Sequence, residues 1–172
     1  DSLNGGSGNN NLNGGSGNDT LNGADGPNDN ADYFADFNDP AGPATQGVVV
    51  NLSTGTATDS WGGTDTLIGI ENASGSVLDD SITGDGGNNN LNGNTGSDTL
   101  QGLAGNDYLQ GADGFDDTID GGDGFDVVAY GFGGDTPINF TATGTSTQPD
   151  GLGGTDTLLN IEELHIFGSS AA

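Results

Sequence analysis

The feature that most constrains this chain is a nine-residue period. Leu3, Leu12 and Leu21 stand nine residues apart, as do Ile82, Leu91, Leu100 and Leu109, and Ile119 and Val128 follow at ten and nine. Two residues before each lies an Asp or Asn: Asp1, Asn10, Asp19, Asp80, Asn89, Asp98, Asp107, Asp117 and Asp126. Glycines precede these in a fixed frame. Residues 14–22 (GGSGNDTLN) set the pattern, with Gly14, Gly15 and Gly17. Residues 93–101 (GNTGSDTLQ), 102–110 (GLAGNDYLQ) and 121–129 (GGDGFDVVA) repeat it with Gly93, Gly96, Gly102, Gly105, Gly121, Gly122 and Gly124. Self-similarity at a fixed period is the mark of a repeat architecture. The glycines permit a tight turn with positive φ. The three residues around each Leu or Ile form a short strand, the apolar one pointing in and its neighbours out.

Composition makes that period decisive. The 172 residues include 26 acids and no Lys or Arg, for a net charge of -26; Gly fills 35 positions, and Val, Ile, Leu and Phe together only 34. Such a chain lies at the boundary where disorder is expected, because too little apolar surface is available to offset the ordering entropy. It either stays unfolded or is folded by something it binds. Nucleic acid is a poor partner, since no side chain can neutralise a phosphate. No apolar run approaches membrane-spanning length, so no membrane insertion is expected. The absence of Cys excludes disulfides, thiolate metal sites and Cys nucleophiles, and the absence of Lys excludes Schiff bases and phosphate-binding P-loops. With no initiating Met, secretory signal or basic targeting segment, the chain reads as a mature fragment or a piece of a longer protein. Metal is the remaining staple.

The repeat resembles the calcium-binding nonapeptide (RTX) family of secreted bacterial proteins, written GGxGxDxUx with U a large apolar residue. Residues 1–34 and 80–129 carry the resemblance. It implies an all-β, right-handed parallel β-roll, with two nonapeptides to a coil and calcium in the turns. It also implies that each ion sits between vertically adjacent turns, held by glycine-region carbonyls and a carboxylate from each; a hard carboxylate oxygen suits calcium. The pairs carried over by position are Asp1 with Asp19, Asp80 with Asp98, Asp98 with Asp116 or Asp117, and Asp107 with Asp126. Asn89 with Asp107 has one charge fewer, and Asn10 with Asn28 has none and is expected to be weakest or empty. The extra residue in 111–120 (GADGFDDTID) leaves Asp116 and Asp117 as alternatives, and residues 23–34 depart too far to predict a regular site. Such a chain is expected to stay unfolded where calcium is scarce and to fold outside the cell after type I secretion.

A larger period overlies the small one. Segments at about 35–74 and 130–168 interrupt the nonapeptides and resemble each other: residues 62–67 (GGTDTL) recur at 153–158, and Ile70-Glu71 recurs as Ile161-Glu162. Residues 48–52 and 137–140 both read as strands. The halves are therefore 1–79 and 80–172, each a roll segment with a β-rich insert. The last residues are in repeat frame with the first, which is expected of tandem neighbours or head-to-tail self-association and equally of an arbitrary cut in a longer chain. Asp25, Asp113 and Asp123 are expected to face solvent.

No catalytic constellation emerges. His165 has no partner type nearby in sequence, there is no nucleophile elbow, and calcium ligation explains Asp116/Asp117 better than an acid–base pair. Trp61, Tyr33, Tyr108 and Tyr130 read as core or cap packing before a sugar-stacking surface. Outward positions carry Ser81, Thr99 and Thr118 on one face, and Asn11, Asn13, Asn90 and Asn92 on the other. The expected function is a calcium-folded structural or adhesive module of a large extracellular protein, surface layer or filament. The alternatives are a non-catalytic calcium module of a secreted enzyme, and an ice- or glycan-binding solenoid.

Overall fold

A computed structural model describes residues 1–34, 41–112, 115–130, 146–149 and 154–166. Among these there is no helix, and hence none long and apolar enough to cross a membrane. The chain lays its strands alternately into two sheets. β1 (Ser2–Asn4), β3 (Thr20–Asn22), β9 (Ser81–Thr83), β11 (Thr99–Gln101) and β13 (Thr118–Asp120) enter the first. β2 (Asn11–Leu12), β4 (Asn30–Asp32), β8 (Asn72–Ser74), β10 (Asn90–Asn92), β12 (Tyr108–Ala112), β14 (Val127–Tyr130) and β17 (Glu163–Ile166) form the second. Every pairing in the second sheet is parallel. Partners are those of the eighteen-residue frame: Leu3 opposite Leu21, Ile82 opposite Leu100, Leu91 opposite Leu109.

The short strands follow from the repeat. Thr or Asn, then Leu or Ile, then Asn or Gln gives one inward residue between two outward ones. The residue after the inward one often starts the turn. The side-chain oxygens of Asn4, Asn13, Asn22, Asp32 and Asn92 accept the N–H two residues on, the Asx-turn that favours Asn and Asp there. Leu21, Ile82, Leu91, Leu100, Leu109, Ile119, Val128 and Leu158 are almost wholly buried, stacked into one thin core.

The first insert enters the first sheet as an antiparallel meander. β7 (Thr64–Ile68) pairs parallel with β3; β6 (Thr56–Thr58) and β5 (Val49–Asn51) follow antiparallel; β5 then pairs parallel with β9. The meander offsets the inward column by two residues. Leu3, Leu21 and Leu67 are in line on one side, but it is Asp65 that stands opposite Ala57, and so in line with Val50 and Ile82. Leu67 instead meets the β5–β6 turn, its N–H donating to the Gly55 carbonyl at 2.8 Å. The insert as read from sequence therefore ends sooner in structure: Asn72–Ser74 is already β8, a regular strand of the second sheet.

The second insert repeats the device. β16 (Thr155–Leu159) pairs parallel with β13, and β15 (Ser146–Pro149) lies antiparallel beside it. The strand expected at 137–140, Asp113 and the C-terminal residues 167–172 lie outside the described residues.

Candidate metal sites along the turns

Strand periodicity puts the repeat Asp on the core side, because it lies two residues before the inward apolar residue. The structure buries these groups: Asp19, Asp80, Asn89, Asp98, Asp107, Asp117 and Asp126 are each at most 5 % exposed. Adjacent coils are then tied by a repeated hydrogen bond in which a main-chain N–H donates to the carboxylate one coil further on. Along the first sheet, Asp19 N–H donates to Asp65, Asp80 to Asp98, Asp98 to Asp117, and Asp117 to Asp156, all at 2.8–2.9 Å. Along the second, Asn10 donates to Asp29, Asp29 to Glu71, Asn89 to Asp107, Asp107 to Asp126, and Asp126 to Glu162, at 2.7–2.8 Å. The amino group of Asp1 donates to Asp19.

Two differences from the sequence expectations stand out. Asn10 faces Asp29 rather than Asn28, so that position carries a buried carboxylate. Of the adjacent pair, Asp117 takes the inner place, whereas Asp116 is exposed and accepts the Thr155 N–H at 2.7 Å. Five ladder members went unrecognised in sequence, or were left open: Asp29, Asp65, Glu71, Asp156 and Glu162. Each sits two residues before an inward residue (Ala31, Leu67, Ala73, Leu158, Leu164), and that spacing was the available signal.

Asp59 was also missed. Wholly buried in the β6–β7 loop, it accepts N–H groups from Trp61, Gly63 and, across the coil, Gly17. The loop thus closes over the 14–19 turn. Tyr33 donates to the second oxygen of Asp65 at 2.9 Å.

Both oxygens of Asp80 are taken, by the Val48 and Ser76 N–H groups and the Ser76 hydroxyl, whereas the ladder uses one oxygen of Asp19, Asp29, Asp107 and Asp126. The other oxygen, Oδ2, of these four is buried and has no hydrogen-bond partner among the described residues. An unsatisfied buried ionic oxygen is costly. Burial accordingly pushes the Asp107 carboxyl up to about 6, the charges of Asp126 and Asp85 adding to the rise and the Asn89 N–H opposing it. Burial raises Asp126, Asp80 and Asp65 as well, each against hydrogen bonds that favour the charged form.

The glycines line the same spaces. A Cβ on Gly102 would overlap Asp107 Oδ2 and crowd the Gly121 carbonyl; one on Gly121 would overlap the Asn160 carbonyl and Asp126 Oδ2. Gly105 and Gly124, at φ +127° and +151°, press against the carbonyls of Gly87 and Gly105 in the neighbouring coil. Carboxylate and carbonyl oxygens thus meet where no β-carbon fits. Among the described residues no three acidic or His side chains gather as a metal cluster, so an ion held here would have to draw on main-chain oxygens too. An all-oxygen, partly carbonyl set is the donor chemistry of calcium.

Tyr33 and Tyr130 are buried. The Trp61 indole N–H donates to the Gly42 carbonyl, and His165 contacts Glu163 at 2.9 Å. Asp25 and Asp123 are exposed.

Comparison with known families agrees with this geometry. The RTX calcium-binding nonapeptide repeat matches in four copies, over residues 1–29, 83–116 and 92–128. No curated protein matches the chain.

Proposed function

Residues 1–29 and 83–128 are RTX calcium-binding nonapeptide repeats, and from that premise we propose that the chain is a calcium-folded, non-catalytic structural or adhesive module of a large extracellular protein. In this reading the two sheets are the faces of a right-handed β-roll, and ions lie between vertically adjacent turns. Asp1 with Asp19, Asp80 with Asp98, Asp98 with Asp117, Asp107 with Asp126, and Asn89 with Asp107 supply the side-chain oxygens. Carbonyls of the turns containing Gly14, Gly15, Gly17, Gly93, Gly96, Gly102, Gly105, Gly121, Gly122 and Gly124 supply the rest. Asp29, Asp65, Asp156, Glu71 and Glu162 extend the two ladders through the inserts.

The observation that carries the reading is the set of buried carboxylate oxygens, at Asp19, Asp29, Asp107 and Asp126, with no hydrogen-bond partner among the described residues, in a chain that has no Lys or Arg. Calcium would supply the missing counter-charge, so its binding free energy becomes folding free energy. Extracellular calcium modules bind at roughly 10⁻⁴–10⁻³ M, which suits folding outside the cell. The internal duplication supports a tandem, structural role: Asp65, Leu67 and Glu71 hold the positions in the first half that Asp156, Leu158 and Glu162 hold in the second.

Equilibrium dialysis with calcium tests this. Asp98→Ala and Asp107→Ala are expected to lower bound calcium and raise the folding midpoint more than Glu162→Ala, because each of the first two borders two turns, whereas Glu162 is the last member of its ladder among the described residues. Unchanged stoichiometry and midpoint in both would refute the assignment.

A further inference from the structure

The outer face of the second sheet carries a groove of about 250 Å³ that the calcium ladders do not use. It is lined by Asn30, Asn72, Ser74, Asn90, Asn92 and Gln110. We infer that this groove binds a neutral glycan chain lying across strands β4, β8, β10 and β12.

The groove arises from the repeat itself. The two outward residues of each strand stack into two rows flanking the buried Ala31, Ala73, Leu91 and Leu109 column. One row runs Asn30, Asn72, Asn90; the other runs Asp32, Ser74, Asn92, Gln110, with Asp32 outside the groove lining and accepting from the Asn11 amide. Strands lie ~4.8 Å apart and same-face residues ~6.7 Å along a strand, so the rows form a grid whose step is comparable to a pyranose unit.

Its chemistry is selective. Every lining side chain is an amide or hydroxyl, able to donate and accept, and none is charged or apolar. Sugar hydroxyls have the same dual character. The -26 charge of the chain disfavours anionic polymers. Three of the amides are braced: Asn72 Oδ1 accepts the Asn90 N–H at 2.8 Å, Asn30 Nδ2 donates to Asn11 and Ser74, and Asn92 exchanges hydrogen bonds with Asn94. The Asn90 and Gln110 side chains, by contrast, make no hydrogen bond among the described residues and are left to a ligand. Beyond Asn90 in the same row is Tyr108, set edge-on to His165 with ring centroids 6.2 Å apart. An aromatic pair at one end of an amide grid supplies the flat apolar surface that stacks on a sugar ring. The volume is below the ~300–1,000 Å³ of enclosed small-molecule pockets, as befits a short stretch of a chain otherwise in solvent.

The test is side-chain amide NMR on the calcium-saturated, folded protein, titrated with neutral hexasaccharides of glucose, mannose and N-acetylglucosamine, and with polygalacturonate as the anionic control. At least one neutral probe is expected to shift the Asn90, Asn92 and Gln110 amides, and polygalacturonate to leave them unmoved. Asn90→Ala/Gln110→Ala breaks no hydrogen bond described here, and should weaken binding about tenfold with an unchanged circular dichroism spectrum and calcium midpoint. No shift by any neutral probe at millimolar concentration, shifts only outside the groove, or full binding by the double variant would each overturn the inference. So would ice shaping without saccharide binding, which would make the face a water-ordering one. Folding is verified first, so a failure here is distinct from failure of the calcium reading.

Discussion

The main-chain N–H of Asp107 donates to Oδ1 of Asp126 at 2.8 Å, and Oδ2 of Asp126 is buried with no hydrogen-bond partner among the described residues. One carboxylate thus does two things: one oxygen joins neighbouring coils, and the other is left facing the turn. The two oxygens can be separated by mutation. Asp126→Asn keeps an acceptor for the Asp107 N–H and removes the charge. It is expected to lose calcium affinity while remaining foldable at high calcium, whereas Asp126→Ala loses both and needs still more calcium. Calorimetric titration of the two variants distinguishes them; equal behaviour of the two would mean that the hydrogen bond contributes nothing here, and wild-type calcium affinity in Asp126→Asn that the charge contributes nothing.

Acid should act in opposite directions with and without calcium. A carboxyl raised in the folded state favours folding while protonated. For Asp107, at about 6 when folded against an unfolded value of ~3.9, that stabilisation is full below the unfolded value. It is lost as pH rises through 6. Asp65, Asp80 and Asp126 shift the same way. In chelator, lowering the pH from 7.5 to 5 is therefore expected to increase order by circular dichroism. With calcium present, protons compete for the same oxygens, and the calcium midpoint should rise as pH falls.

The turn glycines should not be equivalent. Gly105→Ala places a β-carbon against the Gly87 carbonyl at φ +127°, whereas Gly6, at φ +85°, faces open space. Gly105→Ala is expected to cost about 1–3 kcal/mol from backbone strain, plus the collision, and Gly6→Ala less. Denaturant unfolding at saturating calcium measures both.

In the core, Leu91 is fully buried between Ala73 and Leu109. Leu91→Ala would leave a cavity in a single-file column with little to collapse into it, at a cost of about 2–5 kcal/mol. The same unfolding experiment reads it.

Tyr33→Phe removes the hydroxyl that satisfies Asp65 Oδ2 inside the meander. Leaving that buried acceptor unpaired is expected to cost about 1–3 kcal/mol. A loss of that size at saturating calcium would mark the bond as structural; no change would mean that another group satisfies Asp65.

How much of this was legible in sequence depends on the residue. Leu100 and Asp98 declare themselves, because large apolar and acidic residues recur in one frame, and strand alternation then puts both on the inside. Asp29 and Glu71 were hidden because their inward residues, Ala31 and Ala73, are too small to register as a hydrophobic period. Asp117 could have been chosen over Asp116 by its two-residue spacing to Ile119. The offset that aligns Asp65 with Val50 and Ile82 was not legible at all. It depends on the lengths of the 52–55 and 59–63 turns, which set antiparallel register independently of any repeat.

The central claim is that calcium folds this chain, and far-ultraviolet circular dichroism during calcium titration and chelation tests it most directly. A cooperative rise in β-structure at calcium concentrations of about 10⁻⁴–10⁻³ M, reversed by chelator at neutral pH, is the predicted result. A chain that is equally ordered in excess chelator at neutral pH would contradict the account.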